Sequence, residues 1–263
     1  MAAGSLSSGW NDRTNPIDKI IQVMADLRGI DSVPLTPQIF ANAGLEYLEK
    51  HGGPAECFDA IAEKSHNHST LNPYAQFRMP ATLEQVNKAR KIFGPLTLLH
   101  CSPTSDGAAC VIVASEAFVL KHGLGAQAVE IVAQSLATDS TAAFDPNDKN
   151  KSCVEAAGFG MSRKAAQDVY KAAGITSKQV DVVELHDCFS ANELITYDAL
   201  ELCAPGKAAD FVCSGAATLP AFSKGKNPAR KVIVNPSGGL ISKGHPLGAT
   251  GLAQCSELCW QVR

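Results

Sequence analysis

Residues 231–262 read KVIVNPSGGLISKGHPLGATGLAQCSELCWQV, a strand, a turn and a helix in one stretch. Residues 231–234 form a short apolar run of strand type. Asn235, Pro236, Gly238 and Gly239 end it, since these residues favour turns and let the backbone take positive φ. From Leu247 onward, Leu247, Gly251, Leu252, Cys255, Leu258, Cys259 and Val262 recur at three- and four-residue steps, the spacing of a helix. Pro246 suits its first turn. His245 is thereby placed on a glycine-lined loop at the carboxyl end of a strand, where α/β sheets hold their ligands. A helix N-terminus favours a neutral imidazole there, ready to act as base or to donate one hydrogen bond. Read alone, Gly-His-Pro is equally a plain tight turn.

A second unit has the same build. Residues 180–185 (VDVVEL) read as a buried strand, followed by His186-Asp187-Cys188-Phe189. Ser190 and Glu193 have the spacing of a capping box for a helix through Leu194, Tyr197, Ala199 and Leu200. His186 and Cys188 therefore fall on another strand-to-helix loop. A thiol at a helix N-terminus near imidazoles can have a lowered pKa and handle protons near neutrality. Asp187 either orients a histidine or satisfies backbone amides, and the box spacing makes Glu193 a cap rather than a catalyst. Two loops that each carry an acid or base can serve one reacting group if they converge above one sheet.

The rest of the chain supplies helices first and alternation later. Residues 1–9 read as loop, and 16–27, 38–51, 58–64 and 82–92 as helices, with a turn at Asn72-Pro73-Tyr74. Residues 96–100 and 108–114 (AACVIVA) read as strands, and Ser115 opens a helix that Gly123 closes. Residues 128–133 (AVEIVA) begin a second alternating unit. A polar loop over 138–150, a helix over 162–173 and an irregular, mobile 204–229 complete it. Helix–strand alternation implies parallel strands joined by right-handed crossovers. The fold class is therefore α/β, divided into halves at 1–122 and 123–263, with a helical insertion over about 14–95.

Two further features draw attention. His66 and His68 form an HxH pair, but no cysteine or carboxylate completes a metal set at ligand spacing, so they read as polar-loop residues. Cys101 follows an apolar strand, as a nucleophile does, yet small residues around a thiol usually mark packing.

Bulk properties narrow the class. A net charge of −3 and a pI near 6.2 argue against a nucleic-acid scaffold or a membrane-surface protein. No apolar run approaches the roughly 18 residues that span a bilayer. The opening MAAGSLSSGW lacks a basic segment followed by an apolar one, so no secretory leader is expected. Nine cysteines without paired CxxC spacing fit free thiols in a reducing compartment.

Together, Asn-Pro-Ser-Gly-Gly at 235–239 and Gly-His-Pro-Leu-Gly-Ala-Thr-Gly at 244–251 resemble the histidine motif of thiolases. Commoner thiolases carry Asn-Glu-Ala-Phe where this chain has His186-Asp187-Cys188-Phe189, and that departure resembles the sterol-carrier-protein-x type. The resemblance implies a thiolase-like fold of stacked α/β halves with parallel-rich mixed sheets and a helical loop insertion, incomplete at both ends. It implies cleavage of straight or branched 3-oxoacyl-CoA by coenzyme A as co-substrate, with no bound cofactor and no metal. By it, His245 takes a proton from a cysteine nucleophile and His186 donates to the thioester oxygen. Cys188 protonates the departing acetyl-CoA or propionyl-CoA carbanion, and Ser102 and Gly244 lie against coenzyme A. It further implies a homodimer and a peroxisomal location, otherwise a cytoplasmic one. No segment matches the family's nucleophilic cysteine, so the isolated chain is expected to be inactive. The alternative is a non-catalytic thiolase-like module that binds acyl-CoA or lipid. A condensing ketoacyl synthase would need histidine motifs that are not in the sequence.

Overall fold

The computed structural model describes residues 16–145 and 148–263, so the loop read over 1–9 lies outside it. The described chain opens with helices α1 (Pro16–Arg28), α2 (Leu35–His51), α3 (Cys57–His68) and α4 (Leu83–Lys88). Strand β1 (Lys91–Phe93) then pairs antiparallel with β2 (Leu96–Thr97). Helices α5 (Glu116–Lys121), α6 (Cys153–Ala156) and α7 (Phe159–Ala173) follow. The last third runs β3 (Val182–Val183), α8 (Ser190–Ala199), α9 (Ala208–Cys213), β4 (Ile233–Val234), α10 (Gly239–Lys243) and α11 (Thr250–Val262).

Helix α8 is the centre of the molecule. Every residue in it except Thr196 is buried, as expected of a helix enclosed on all sides. Helices α2, α3, α7 and α9 pack around it. Gly44 lets α2 come close: a Cβ there would lie 2.9 Å from both the Ala191 Cβ and the Phe58 ring. The buried phenols Tyr47 and Tyr197 find carboxylate acceptors in Asp198 and Glu193.

One short sheet positions everything that follows. β3 and β4 are parallel, with Val182 opposite Ile233 and Val183 opposite Val234. Asn235 N donates to Val183 O at 2.7 Å. Because the strands run side by side in one direction, the loops leaving their carboxyl ends emerge at the same edge.

Several sequence expectations change. The sheets are much smaller than the sequence suggested, because 108–114 and 128–133 form no strand. Both are largely open to solvent, with Ile112 92% and Ile131 68% exposed. An apolar run becomes a strand only when a neighbour takes its backbone groups, and among the described residues none does. Residues 82–92 and 96–100 each break into a short helical turn and a short strand around the β1–β2 hairpin. The 204–229 region is not loose. Ala208, Ala209, Val212, Ala216 and Ala217 are buried, and Ala216 O and Ala217 O accept from Val232 N and Val234 N. Small residues give a weak periodic signal, which hid this segment in the sequence.

The capping box of Ser190 and Glu193 does not form. Phe189 occupies the cap position, and Glu193 turns inward to Lys64 at 2.8 Å. Once Lys64 is enclosed beside it, the Glu193 carboxylate is held by the ion pair, since leaving that ammonium without a partner would cost more than the roughly 1 kcal/mol of a cap. His66 and His68 are not loop residues but lie buried on α3. His68 Nδ1 donates to Asn235 O at 3.0 Å, and its Nε2 accepts from Leu219 N at 2.9 Å. Among the described residues, no helix is long and apolar enough to cross a membrane.

Candidate functional site

The loop after β3 carries His186, Asp187 and Cys188, and the chain after β4 reaches His245 by way of α10. The sequence missed α10 by reading 235–246 as one turn. A single helical turn stands between strand and histidine, and Gly238 at φ +97° and Gly239 at φ +62° start it. Gly244, at φ +111°, ends it where a Cβ would lie 3.0 Å from Gln76 Oε1 and from Ser105 Oγ. Both the conformation and the crowding require glycine here. Residues 246–249 then make a turn, so α11 begins at Thr250 rather than at Leu247.

These two excursions bring His186 and His245 together. Their Nε2 atoms are 3.3 Å apart, and the rings meet edge to face with centroids 5.1 Å apart. Thr250 favours one tautomer of His245. Its Oγ1 donates to Pro246 O at 3.1 Å and lies 2.9 Å from His245 Nδ1. With its hydrogen spent on the carbonyl, that hydroxyl can only accept, so Nδ1 holds the proton and Nε2 presents a lone pair. His186 Nε2 then donates across the gap.

Electrostatics keep the pair neutral. Burial, then the neighbouring His186 and Lys243, lower the His245 pKa to about 4. Desolvation also lowers His186, although that residue is partly open to water. Near neutral pH the site offers one imidazole N–H and one imidazole lone pair. A carbonyl oxygen placed between the rings can accept from one of them and, once the second is protonated, from both.

Cys188 sits on the inner side of the same loop. It is 6% exposed. Burial, followed by the adjacent Asp187, raises its thiol well above the ordinary range, so the sulfur is protonated. This reverses the lowered pKa that its place near a helix start suggested. The first turn of α8 is walled off from water, and desolvation exceeds the helix-terminus effect. The Asp187 carboxyl is fully enclosed and its pKa is likewise raised by burial. Its Oδ1 accepts from Leu240 N at 2.7 Å, the backbone role among the two weighed for it. Oδ2 has no partner and faces Gly239, where a Cβ would approach to 2.0 Å.

Residues 101–105 staple the loops together. Cys101 bridges Phe189, Ser102 N donates to Cys188 O at 2.9 Å, and Thr104 bridges His245. His245 N donates to Ser105 Oγ at 3.1 Å. Ser102 thus reaches the site through its backbone. The Cys101 thiol donates to Thr97 O and is raised by burial to about 12, the packing role of the two open to it. A cleft of about 470 Å³ opens beside His245, lined by Tyr74, Gln76, Ser105, Lys243, Gly244 and Pro246. Ser105 escaped the sequence reading, and the contacts that Thr250 and Gln76 make around Gly244 and His245 were not legible, since nothing in their spacing marks them as partners of a histidine loop.

Behind the loops lies a buried polar network that the sequence also did not reveal. Lys64 donates to Val234 O at 3.0 Å besides pairing with Glu193. Glu193 accepts from Asn235 Nδ2 at 3.0 Å, and Asn235 Oδ1 accepts from Leu185 N at 2.9 Å. The ends of β3 and β4 are thereby tied to α3 and α8 through charged and amide groups rather than by packing alone.

Three comparisons bear on the sequence and fold as a whole. A family model for thiolase C-terminal domain-like sequences matches residues 143–263. The chain superposes on human mitochondrial 3-ketoacyl-CoA thiolase with a TM-score of 0.53 at 21% identity, covering 88% of this chain and 55% of that one. On the Ltp2-ChsH2(DUF35) aldolase the TM-score is 0.60 at 22% identity, covering 84% and 55%. The chain belongs to the thiolase family. Within the family it is of the sterol carrier protein 2 type: sterol carrier protein 2 of Gallus gallus is 54% identical over all 263 residues. The chain spans about half of such relatives, 46% of the Gallus gallus protein.

Proposed function

We propose that this chain supplies the oxyanion-binding and proton-transfer side of a 3-oxoacyl-CoA thiolase site, with coenzyme A as co-substrate. The observation that carries the reading is the 3.3 Å approach of His186 Nε2 to His245 Nε2. In this reading a thioester oxygen enters between the imidazoles. His245 Nε2 takes the proton of a cysteine nucleophile, which no segment of this chain matches, and then donates to the oxygen. Each such donor is worth about 3–4 kcal/mol in the transition state. Cys188, held as a thiol, protonates the C2 carbanion of the departing acyl-CoA. Straight or branched 3-oxoacyl-CoA, a pairing of two copies and a peroxisomal setting belong to the same proposal.

A second reading, a non-catalytic module that binds acyl-CoA or lipid, has one observation in its favour. Cys57, Cys101, Cys153, Cys188, Cys203 and Cys213 are all shifted toward the protonated thiol, so none of these is a ready nucleophile.

Calorimetric titration of the 263-residue chain with acetoacetyl-CoA and with free coenzyme A tests the first reading. His186→Ala and His245→Ala are each expected to weaken acetoacetyl-CoA about tenfold, one hydrogen bond's worth, and to leave coenzyme A within about twofold. Equal losses for both ligands, or none, would refute it. Thiolysis by the isolated chain is expected to be absent, and turnover abolished by Cys101→Ala would overturn the role given to that thiol.

A further inference from the structure

A large cavity lies away from the histidines. It measures about 800 Å³ and lies between α7, the turn after α8 and α9. Helix α8 separates the two places: His186 precedes its first turn, and the cavity adjoins its last. Ten residues of helix put them about 15 Å apart along its axis. The volume falls within the roughly 300–1,000 Å³ of sites that hold a small molecule.

Its lining has two parts. Leu202, Cys203, Ala204, Pro205 and Phe211 give a mainly apolar wall. Arg163, Lys178, Lys207 and Arg230 bring positive charge, against Asp198, Glu201 and Asp210, a surplus of one. Most of that charge is already engaged. Asp198 takes Arg163 at 2.8 Å, and Asp210 takes Lys207 at 3.2 Å. Glu201 accepts from Gln167 at 2.9 Å and faces no cation in an ion pair. Arg230 donates to the carbonyls of Leu202 and Ser177, and neither it nor Lys178 has a carboxylate partner among the described residues. The buried Nε of Arg163 is also an N–H donor without an acceptor. Orphan donors and unpaired cations beside an apolar hollow ask for a ligand with an anionic head and an aliphatic body.

A second hollow of about 500 Å³ shares Gln167, Ser177, Lys178 and Glu201 with the first. Gln167, Ser177, Lys178 and Glu201 stand where the two join, so the exposed ammonium of Lys178 borders both hollows.

We infer that this cleft is a binding site for a singly charged, carboxylate-headed aliphatic chain, separate from the two histidine loops. The carboxylate meets Lys178 and Arg230 and the chain lies against Leu202, Ala204 and Phe211. The inference involves no residue of the proposed thiolase chemistry and stands or falls without it.

The test is a titration of the 263-residue chain with dodecanoate and with dodecanol, its uncharged counterpart, by calorimetry. Cys203 alkylation is followed in parallel by peptide mass spectrometry. Dodecanoate is expected to bind at least tenfold more tightly than dodecanol. Lys178→Glu, an exposed position that leaves the fold intact, removes that preference by about tenfold and changes dodecanol by less than twofold. Saturating dodecanoate slows Cys203 labelling at least fivefold and leaves the exposed Cys110 and Cys255 unchanged. Equal binding of the two ligands, a preference untouched by Lys178→Glu, or protection of Cys110 in place of Cys203 would overturn the inference. The last of these would mark coating of the exposed apolar run around Ile112.

Discussion

Replacing Lys64 by methionine removes the ammonium that neutralises Glu193 and keeps most of the side chain's volume. The two charged groups are 2.8 Å apart, with side chains 1% and 0% exposed, so no water can take over from the lysine. Two losses follow: a carboxylate is left enclosed, and Val234 O loses its donor. Breaking a buried pair at one end costs about 3–5 kcal/mol. That is a large part of the roughly 5–15 kcal/mol that holds a domain together. Urea unfolding followed by circular dichroism reads it. With a slope near 3 kcal/mol per M, the midpoint is expected to drop by about 1–1.7 M. The second change, Glu193→Gln in the Lys64→Met background, removes the stranded charge. Its amide can turn its oxygen to Asn235 Nδ2 and its NH₂ to the Tyr197 hydroxyl, both of which already touch Glu193. The double variant is expected to recover at least about 1.5 kcal/mol of the single variant's loss. A Lys64→Met cost below about 1 kcal/mol, or a double variant no better than the single, would refute the idea that this pair ties the loops to the core.

Other expected outcomes follow from the same geometry. Thr250→Val strips the acceptor from His245 Nδ1 and is expected to cost about 1 kcal/mol and broaden the slowly exchanging Nδ1–H signal in proton NMR, whereas Thr250→Ser keeps it. Gly239→Ala drives a Cβ to 2.0 Å from Asp187 Oδ2 at φ +62°, so a loss of at least about 2 kcal/mol is expected in urea titration. Gly248→Ala, which meets nothing within 4 Å, stays within about 0.5 kcal/mol. His68 is held by burial at about 3, below its ordinary 6.5. The unfolded chain therefore binds the proton first, and stability is lost as pH falls below that ordinary value. His68 alone is expected to remove about 2 kcal/mol between pH 7 and pH 5, and His68→Asn to flatten that slope in urea midpoints.

Much of this was legible because period and punctuation leave marks in a sequence. The strand-to-helix loop after β3 read correctly, since an apolar run followed by turn residues and a helical pattern is a local signal, whereas the one after β4 hid the single helical turn of α10. That the strands pair in parallel, which makes the loops converge, followed from helix–strand alternation. What stayed hidden depends on distant neighbours. Glu193 has the spacing of a cap, and only the presence of Lys64 from α3 turns it inward. Residues 108–114 have the composition of a strand, but pairing is a property of two segments. Cys188 stands near a helix start, yet the depth of burial around that start, which spacing does not encode, raises its pKa instead of lowering it. Thr250 lies in the same 244–251 motif as His245, but its contact with His245 Nδ1 depends on the turn at 246–249, which the motif's spelling does not show.

The proposed role of His186, His245 and Cys188 is tested most directly by deuterium exchange at C2 of acetyl-CoA in D₂O, followed by proton NMR. Proton transfer to a carbanion runs in both directions, so this chain is expected to catalyse exchange without any thiolysis. His186→Ala and His245→Ala each slow it by about a hundredfold, as loss of an oxyanion donor does. Cys188→Ala abolishes it. Exchange at the uncatalysed rate by the intact chain, or a Cys188→Ala rate equal to the parent's, would contradict the account.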